Sequence, residues 1–289
     1  MITAPGLYTD AKTRATYHAD PCPEPSLSRS IAKLIAERTP RHAFVAHPRL
    51  NPQVEDEKED KFDLGTAAHS LLLKEGSQIE IIDAPDWRTN AAKLARDVAR
   101  GQGKVPLLEK QYERANRMAE AVRAQLPLFG LGSILDEGAS EVVGAWIDPV
   151  AGWCRMMIDL LMPDLTIWDI KTTDIAISEE NLSRHMSGMG NEWQHAFYER
   201  GITALYHELT GRVKFGFIFI ETKEPFAVLP VRLSNAAIAK GRSNVERACR
   251  LWAHAKETGE WPMFGGQVRT IEYPPWQIAE WAGDVENDV

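Results

Sequence analysis

The spacing of apolar and polar positions changes character about halfway along the chain. In "PSLSRSIAKLIAERTP", Ile31, Leu34 and Ile35 recur at helical spacing behind Ser26 or Ser28 as N-cap, and Thr39-Pro40 ends the run. "KFDLGTAAHSLLLKEG" predicts a further helix ended by Gly76, with Gly65 and His69 four apart and therefore on one face. Residues 89–126 predict two helices broken at "GQGKVP", with little strand character. Residues 1–24 predict a Pro-rich irregular segment, and "NPQVEDEKEDK" a solvated charged loop.

Beyond residue 138 the runs shorten and become strand-like. Segments at about 140–147, 153–161 and 165–172, joined by turns in "DPVAG" and "MPDL", predict an antiparallel meander. A helical stretch over 178–209 follows, then strands in "RVKFGFIFIET" and "PFAVLPVRL", then a helix over 234–258. This order predicts an α/β fold, a central mixed sheet flanked by helices. The expected organisation is one domain: an irregular start (1–24), a helical part (25–130), the core (131–258) and a C-terminal extension (259–289).

Composition narrows the class. With 44% hydrophobic and 26% charged residues in 289, the chain has the make-up of a soluble globular protein. No run reaches the roughly 20 apolar residues of a membrane span, and the N-terminus lacks the build of a signal peptide, so no membrane partner is expected. Cys22, Cys154 and Cys249 are few and far apart. They point to a reducing cytoplasm and cannot supply a four-cysteine iron–sulfur cluster. The net charge of −8 gives no bulk attraction to nucleic acid, leaving only a local basic groove.

The chemistry concentrates in "CRMMIDLLMPDLTIWDIKTT". Asp159 ends one apolar run, and Asp169 and Lys171, two apart, share a face of the next. A hairpin can set Asp159 opposite that pair. Two converging carboxylates repel unless a cation lies between them, and such oxygen ligands favour Mg²⁺ or Mn²⁺. An ordinary salt bridge at a sheet edge is the plain alternative.

The larger pattern resembles the PD-(D/E)xK nuclease superfamily, which carries an acid on one strand and acid-x-Lys on the next. "FDLGTAAHSLLL" resembles the G-x-x-x-H helix of the RecB-like and RecE-like branch, and "WQHAFYERGITAL" its Gln-x-x-x-Tyr helix. "YHADPCPEPSLSRSIAKLIAERTPRHAFVAH" resembles the opening of RecE-type (exonuclease VIII-like) phage and prophage exonucleases. The resemblance implies a restriction-endonuclease-like core and a metal held by His69, Asp159, Asp169 and the Ile170 backbone carbonyl. Lys171 would position the attacking water, and Glu141 would stand near a possible second ion. Mg²⁺ would be the cofactor, with Mn²⁺ as a substitute.

It also implies an activity: 5′→3′, processive hydrolysis of one strand from the ends of linear double-stranded DNA. The enzyme would be a ring-shaped trimer or tetramer in the cytoplasm of a bacterial host, working with a single-strand annealing protein in recombination. Gln194 and Tyr198 would reach the DNA strand, although a Gln–Tyr pair at helical spacing also reads as packing, and His69 as a core histidine. Ser28 and Arg29, at a helix N-terminus, would form a pocket for a terminal 5′-phosphate; a Ser cap beside a solvated arginine is the plain alternative. Lys33, Arg184, His185, Arg242 and Arg247 are further candidate contacts. A structure-specific or restriction-like endonuclease and a catalytically silent DNA-binding module are the competing readings.

Overall fold

The computed structural model describes residues 1–52, 61–74, 76, 78–266, 268–275 and 277–279, with the side chains of 61–63 outside the description. The charged loop expected in "NPQVEDEKEDK" lies almost wholly outside the described residues. In chain order the elements begin with β1 (Gly6–Tyr8), α1 (Ala11–Thr16), β2 (Leu27–Ser28), α2 (Arg29–Glu37) and α3 (Pro40–Ala46). There follow α4 (Lys61–Leu73), β3 (Ile79–Ile82), α5 (Asn90–Gly101), β4 (Val105–Leu108), α6 (Glu109–Gln125) and α7 (Ile134–Glu137). The second half holds β5 (Ala139–Asp148), β6 (Gly152–Leu161), β7 (Ile167–Thr173), α8 (Glu179–Met189), α9 (Asn191–Leu205), β8 (Phe215–Glu221), β9 (Val228–Val231) and α10 (Asn235–Thr258).

The main sheet runs β1-β5-β6-β7-β8-β9, with β2 pairing β6 off this path. β5, β6 and β7 form the antiparallel meander, while β7 and β8 are parallel, so the sheet is mixed. One face packs on α2, α8, α9 and α10 through Trp146, Met156, Phe197, Phe217 and Trp252. The other packs on α4 and α6 through Leu72, Met118, Trp168 and Ile218. This is the predicted fold class. No helix among the described residues is long and apolar enough to cross a membrane.

Four expectations are corrected. Residues 1–24 are not wholly irregular: β1 pairs antiparallel with β5, and Asp10 caps α1 by accepting from Thr13 N at 2.9 Å. The part between 25 and 130 is not wholly helical, since β3 and β4 form a separate parallel pair. These strands hold three or four residues each, too short for a period-2 pattern to register. Pro40 does not only end a helix; it opens α3 behind the Thr39 cap, because Pro suits the first helical turn. The stretch 178–209 divides at Gly190, whose left-handed backbone (φ 72°) separates α8 from α9.

A buried polar network ties the N-terminal segment to β6. Asp20 accepts from Ser26 N at 2.9 Å and from Ser26 Oγ at 2.7 Å, and Arg155 Nη1 lies 3.3 Å from the same carboxylate. Arg155 also donates to Ser26 O at 2.8 Å. His47 Nε2 donates to Ser26 O at 3.0 Å, while its Nδ1 accepts from Arg49 N and Leu50 N at 3.2 and 3.3 Å.

Candidate active site

Three acids fall in one row across three neighbouring strands. The β5–β6 ladder pairs Ser140 with Leu160 and Val142 with Ile158, so Glu141 falls opposite Asp159. The β6–β7 ladder pairs Leu160 with Trp168, so Asp159 falls opposite Asp169. The row is also where the sheet distorts. Glu141 has φ 49°, a left-handed backbone that costs a non-glycine residue about 1 kcal/mol or more. Ile158 and Leu160, two apart, pack into opposite cores, so side-chain alternation in β6 breaks at Asp159.

Beyond Leu160 and Trp168 the two strands part, whereas β7 stays paired with β8 along its whole length. The Ile170 N–H, turned toward β6, donates to Asp159 Oδ2 at 2.8 Å. A residue's N–H and C=O point to the same side of a strand, so the Ile170 carbonyl faces this gap as well.

Helix α4 closes over the row. Gly65 allows it: a Cβ there would stand 2.7 Å from Thr172 Oγ1 on β7. One turn on, His69 Nε2 lies 3.1 Å from Asp159 Oδ2 and Nδ1 lies 3.9 Å from Glu141 Oε1. Thr172 is the supporting residue that sequence reasoning missed, although it follows Lys171 directly in "DIKTT". From the opposite face of the sheet, Gln194 on α9 donates to Asp169 Oδ2. Lys171 Nζ stands 2.5 Å from Asp169 Oδ1, but off the direction of a hydrogen bond. Asp169 Oδ1 is thus a buried acceptor in an ion pair with the Lys171 ammonium.

The charges perturb one another. Burial, and then the negative charge of Asp159, push Asp169 up to about 6, with Lys171 opposing. Burial works against ionising Asp159 too, but the hydrogen bond and charge of His69 outweigh it and hold Asp159 below the ordinary carboxylate value. Burial favours neutral His69, yet Asp159, Glu141 and Asp169 together raise it above its usual value.

Carboxylate oxygens, a backbone carbonyl and one imidazole make a donor set suited to a hard divalent cation, Mg²⁺ or Mn²⁺. Among the described residues no three His, Cys, Asp or Glu side chains meet around one point as a finished cage. His69 engages Asp159, while Lys171 and Gln194 engage Asp169.

The remaining candidates lie elsewhere. Tyr198 is buried and donates to Met157 O at 2.7 Å, so its hydroxyl holds β6 and is not offered to a DNA strand. Ser28 is buried and caps α2, accepting from Ile31 N at 3.5 Å. Arg29 donates to Gly190 O at 3.2 Å, which places its guanidinium on the α8–α9 corner. Helical spacing and a cap signal could not reveal these partners, which come from distant segments. Of the other cations, Arg184 pairs with Glu180 and Arg242 with Glu199.

Residues 28–274 match the family described as "PDDEXK-like domain of unknown function (DUF3799)". No curated protein matches the sequence. The fold is similar to a crystal structure from Eubacterium rectale described as a "putative exonuclease". That match has a TM-score of 0.54 and 14% identity, over 96% of this chain and 100% of the other. A structure described as SSO0001 aligns over 66% of this chain and 86% of its own, at 15% identity and a TM-score of 0.26.

Proposed function

Because the chain belongs to the PDDEXK-like family described as DUF3799, we propose that it is a metal-dependent deoxyribonuclease. The observation that carries this reading is the row Glu141–Asp159–Asp169, with Lys171 beside Asp169 and His69 against Asp159. Asp159, Asp169, His69 and the Ile170 carbonyl would hold Mg²⁺, or Mn²⁺ in its place, with Glu141 near a second ion. Such an ion, when bound, offsets charge growing on the scissile phosphate and lowers the pKa of water.

The chain's own residues supply the rest. Lys171 Nζ, paired with Asp169 and with its side chain one-third exposed, would orient the attacking water. Gln194 pins Asp169 Oδ2, while Oδ1 faces the Lys171 ammonium. The Ile170 amide fixes the Asp159 rotamer by bonding one of its oxygens.

The finer reading is a RecE-type exonuclease: hydrolysis of one strand from the ends of linear duplex DNA, 5′→3′ and processive, in a ring-shaped oligomer that serves an annealing partner. It rests on the motifs in the sequence; the description of the Eubacterium rectale neighbour bears on the word exonuclease alone. A ring holds DNA by topology, which suits a chain of net charge −8.

The test is nucleotide release from linear duplex labelled at one end, against a circular duplex, with and without Mg²⁺. Release from linear DNA only, lost in Asp169→Ala and Lys171→Ala, is expected. Cutting of circles would make it an endonuclease on the same core. Binding without hydrolysis would leave a silent DNA-binding module and overturn the proposal.

A further inference from the structure

Helix α2 presents Arg29, Lys33 and Glu37 at four-residue intervals, a stripe along one face. All three engage the corner where α8 passes into α9. Lys33 Nζ donates to Met189 O at 2.8 Å, and Arg29 Nη2 donates to Gly190 O at 3.2 Å and approaches Met189 O at 3.5 Å. Glu37 Oε1 accepts from Trp193 Nε1 at 3.0 Å, and Lys33 stands 3.8 Å from Glu37. These carbonyls close the C-terminal end of α8, where the helix dipole favours cations.

The corner has no slack. A Cβ at Gly190 would stand 2.8 Å from Lys33 Nζ and 2.9 Å from Trp193 Cδ1, on a backbone with φ 72°. Helix α9 starts at the next residue. Gln194 follows the held Trp193, and its amide donates to Asp169 Oδ2.

We propose that the Arg29–Lys33–Glu37 stripe is a clasp that sets Gln194 on Asp169, with Arg29 and Lys33 acting as positioning residues and not as DNA contacts. The proposal rests on the nuclease reading of the acid row. Arg29 is half-buried with its Nε enclosed, and the Lys33 side chain is 24% exposed with its ammonium on a carbonyl. Neither charge is held out to a phosphate backbone.

Lys33→Met and Arg29→Ala in the full chain test this by two measurements. The first is amide hydrogen exchange at residues 190–194. The second is steady-state kinetics on linear duplex over a salt series with Mg²⁺. A clasp predicts exchange about tenfold faster at the corner, with the β5–β6 amides unchanged. It also predicts kcat lower by about tenfold or more, with KM and its salt dependence within about twofold. Arg29→Lys, which keeps one donor, should recover part of kcat.

A raised KM, with a salt slope shallower by about one ion per cation removed and exchange unchanged, would mark phosphate contacts and overturn the clasp. Unchanged exchange together with unchanged kcat would overturn it as well. An unmutated chain without nuclease activity would sink the nuclease reading instead, and with it the clasp's role in positioning for catalysis.

Discussion

Gly65 on α4 lies so close to Thr172 on β7 that a Cβ on the glycine would stand 2.7 Å from the threonine Oγ1. The contact sets how near His69 comes to the acid row. Gly65→Ala should push α4 outward or force Thr172 to turn, drawing His69 off Asp159. Metal-dependent activity should fall by about tenfold. Helix propensity runs the other way, favouring Ala over Gly by about 1 kcal/mol, so it cannot explain a loss. The Thr172 Cβ lies 3.8 Å from the same point, an ordinary contact. Gly65→Ala with Thr172→Ala should therefore regain most of the activity. Simply additive losses in the double variant would show that the contact does not matter.

The charged row predicts how pH and metal trade off. In the metal-free protein Asp169, raised to about 6 by burial and Asp159, favours folding below its unfolded pKa of 3.8 and loses that contribution as pH rises through about 6. His69 has the same sign: raised by Asp159, its contribution is complete below 6.5 and is lost as pH rises through the raised folded value. Deprotonated His69 and Asp169 are the forms that bind metal. Added Mn²⁺ should therefore raise the melting temperature more at pH 8 than at pH 5.5, and His69→Ala should reduce that difference. An equal rise at both pH values would remove the row as a metal site.

What the sequence reveals divides by range. Asp159, Asp169 and Lys171 were legible as a group through the resemblance of "IDLLMPDLTIWDIKTT" to the PD-(D/E)xK pattern; alternation alone would not place them, since it breaks at Asp159. His69 was singled out by the resemblance of "FDLGTAAHSLLL" to the G-x-x-x-H helix, since four-residue spacing to Gly65 alone fits a core histidine equally well. The left-handed backbone of Glu141 was not, since nothing in "SEVVG" marks a glutamate for φ 49°. Strands β1, β3 and β4 were hidden because three or four residues held by pairing carry no pattern of their own. Arg29 and Tyr198 were misjudged for a third reason. Their partners, the Gly190 and Met157 carbonyls, are far away in sequence, and helical spacing cannot say which face is covered.

The buried histidine near the N-terminus predicts acid lability. His47 Nδ1 accepts two backbone N–H groups, so protonating it would break both bonds. Burial holds its pKa down to about 4. Above 6.5 it is neutral folded or unfolded and contributes no pH dependence. Below 6.5 the unfolded chain takes up the proton first, so stability should fall as pH drops from 6.5 to about 4, by roughly 2–4 kcal/mol. His47→Gln should start less stable and show a flatter slope across that window in urea unfolding. Parallel curves for the two proteins would place the acid sensitivity elsewhere.

Gln194 and Tyr198 sit one helical turn apart and should nevertheless separate cleanly. Gln194 touches Asp169, while Tyr198 touches the Met157 carbonyl, two residues before Asp159. Tyr198→Phe removes one buried donor and keeps the ring packed near Phe215. It should cost about 1 kcal/mol of stability and leave kcat within about threefold. Gln194→Ala leaves the buried Asp169 Oδ2 without its donor, and should lower kcat by about 10- to 100-fold while costing about 1–3 kcal/mol of stability. Gln194→Glu is the sharper probe, because it sets a second negative charge against a carboxylate already raised to about 6 by burial and a charged neighbour. It should abolish turnover or demand a far higher metal concentration. Rates and melts of the three variants decide the matter: if Tyr198→Phe loses turnover while Gln194→Ala keeps it, the roles on α9 are reversed.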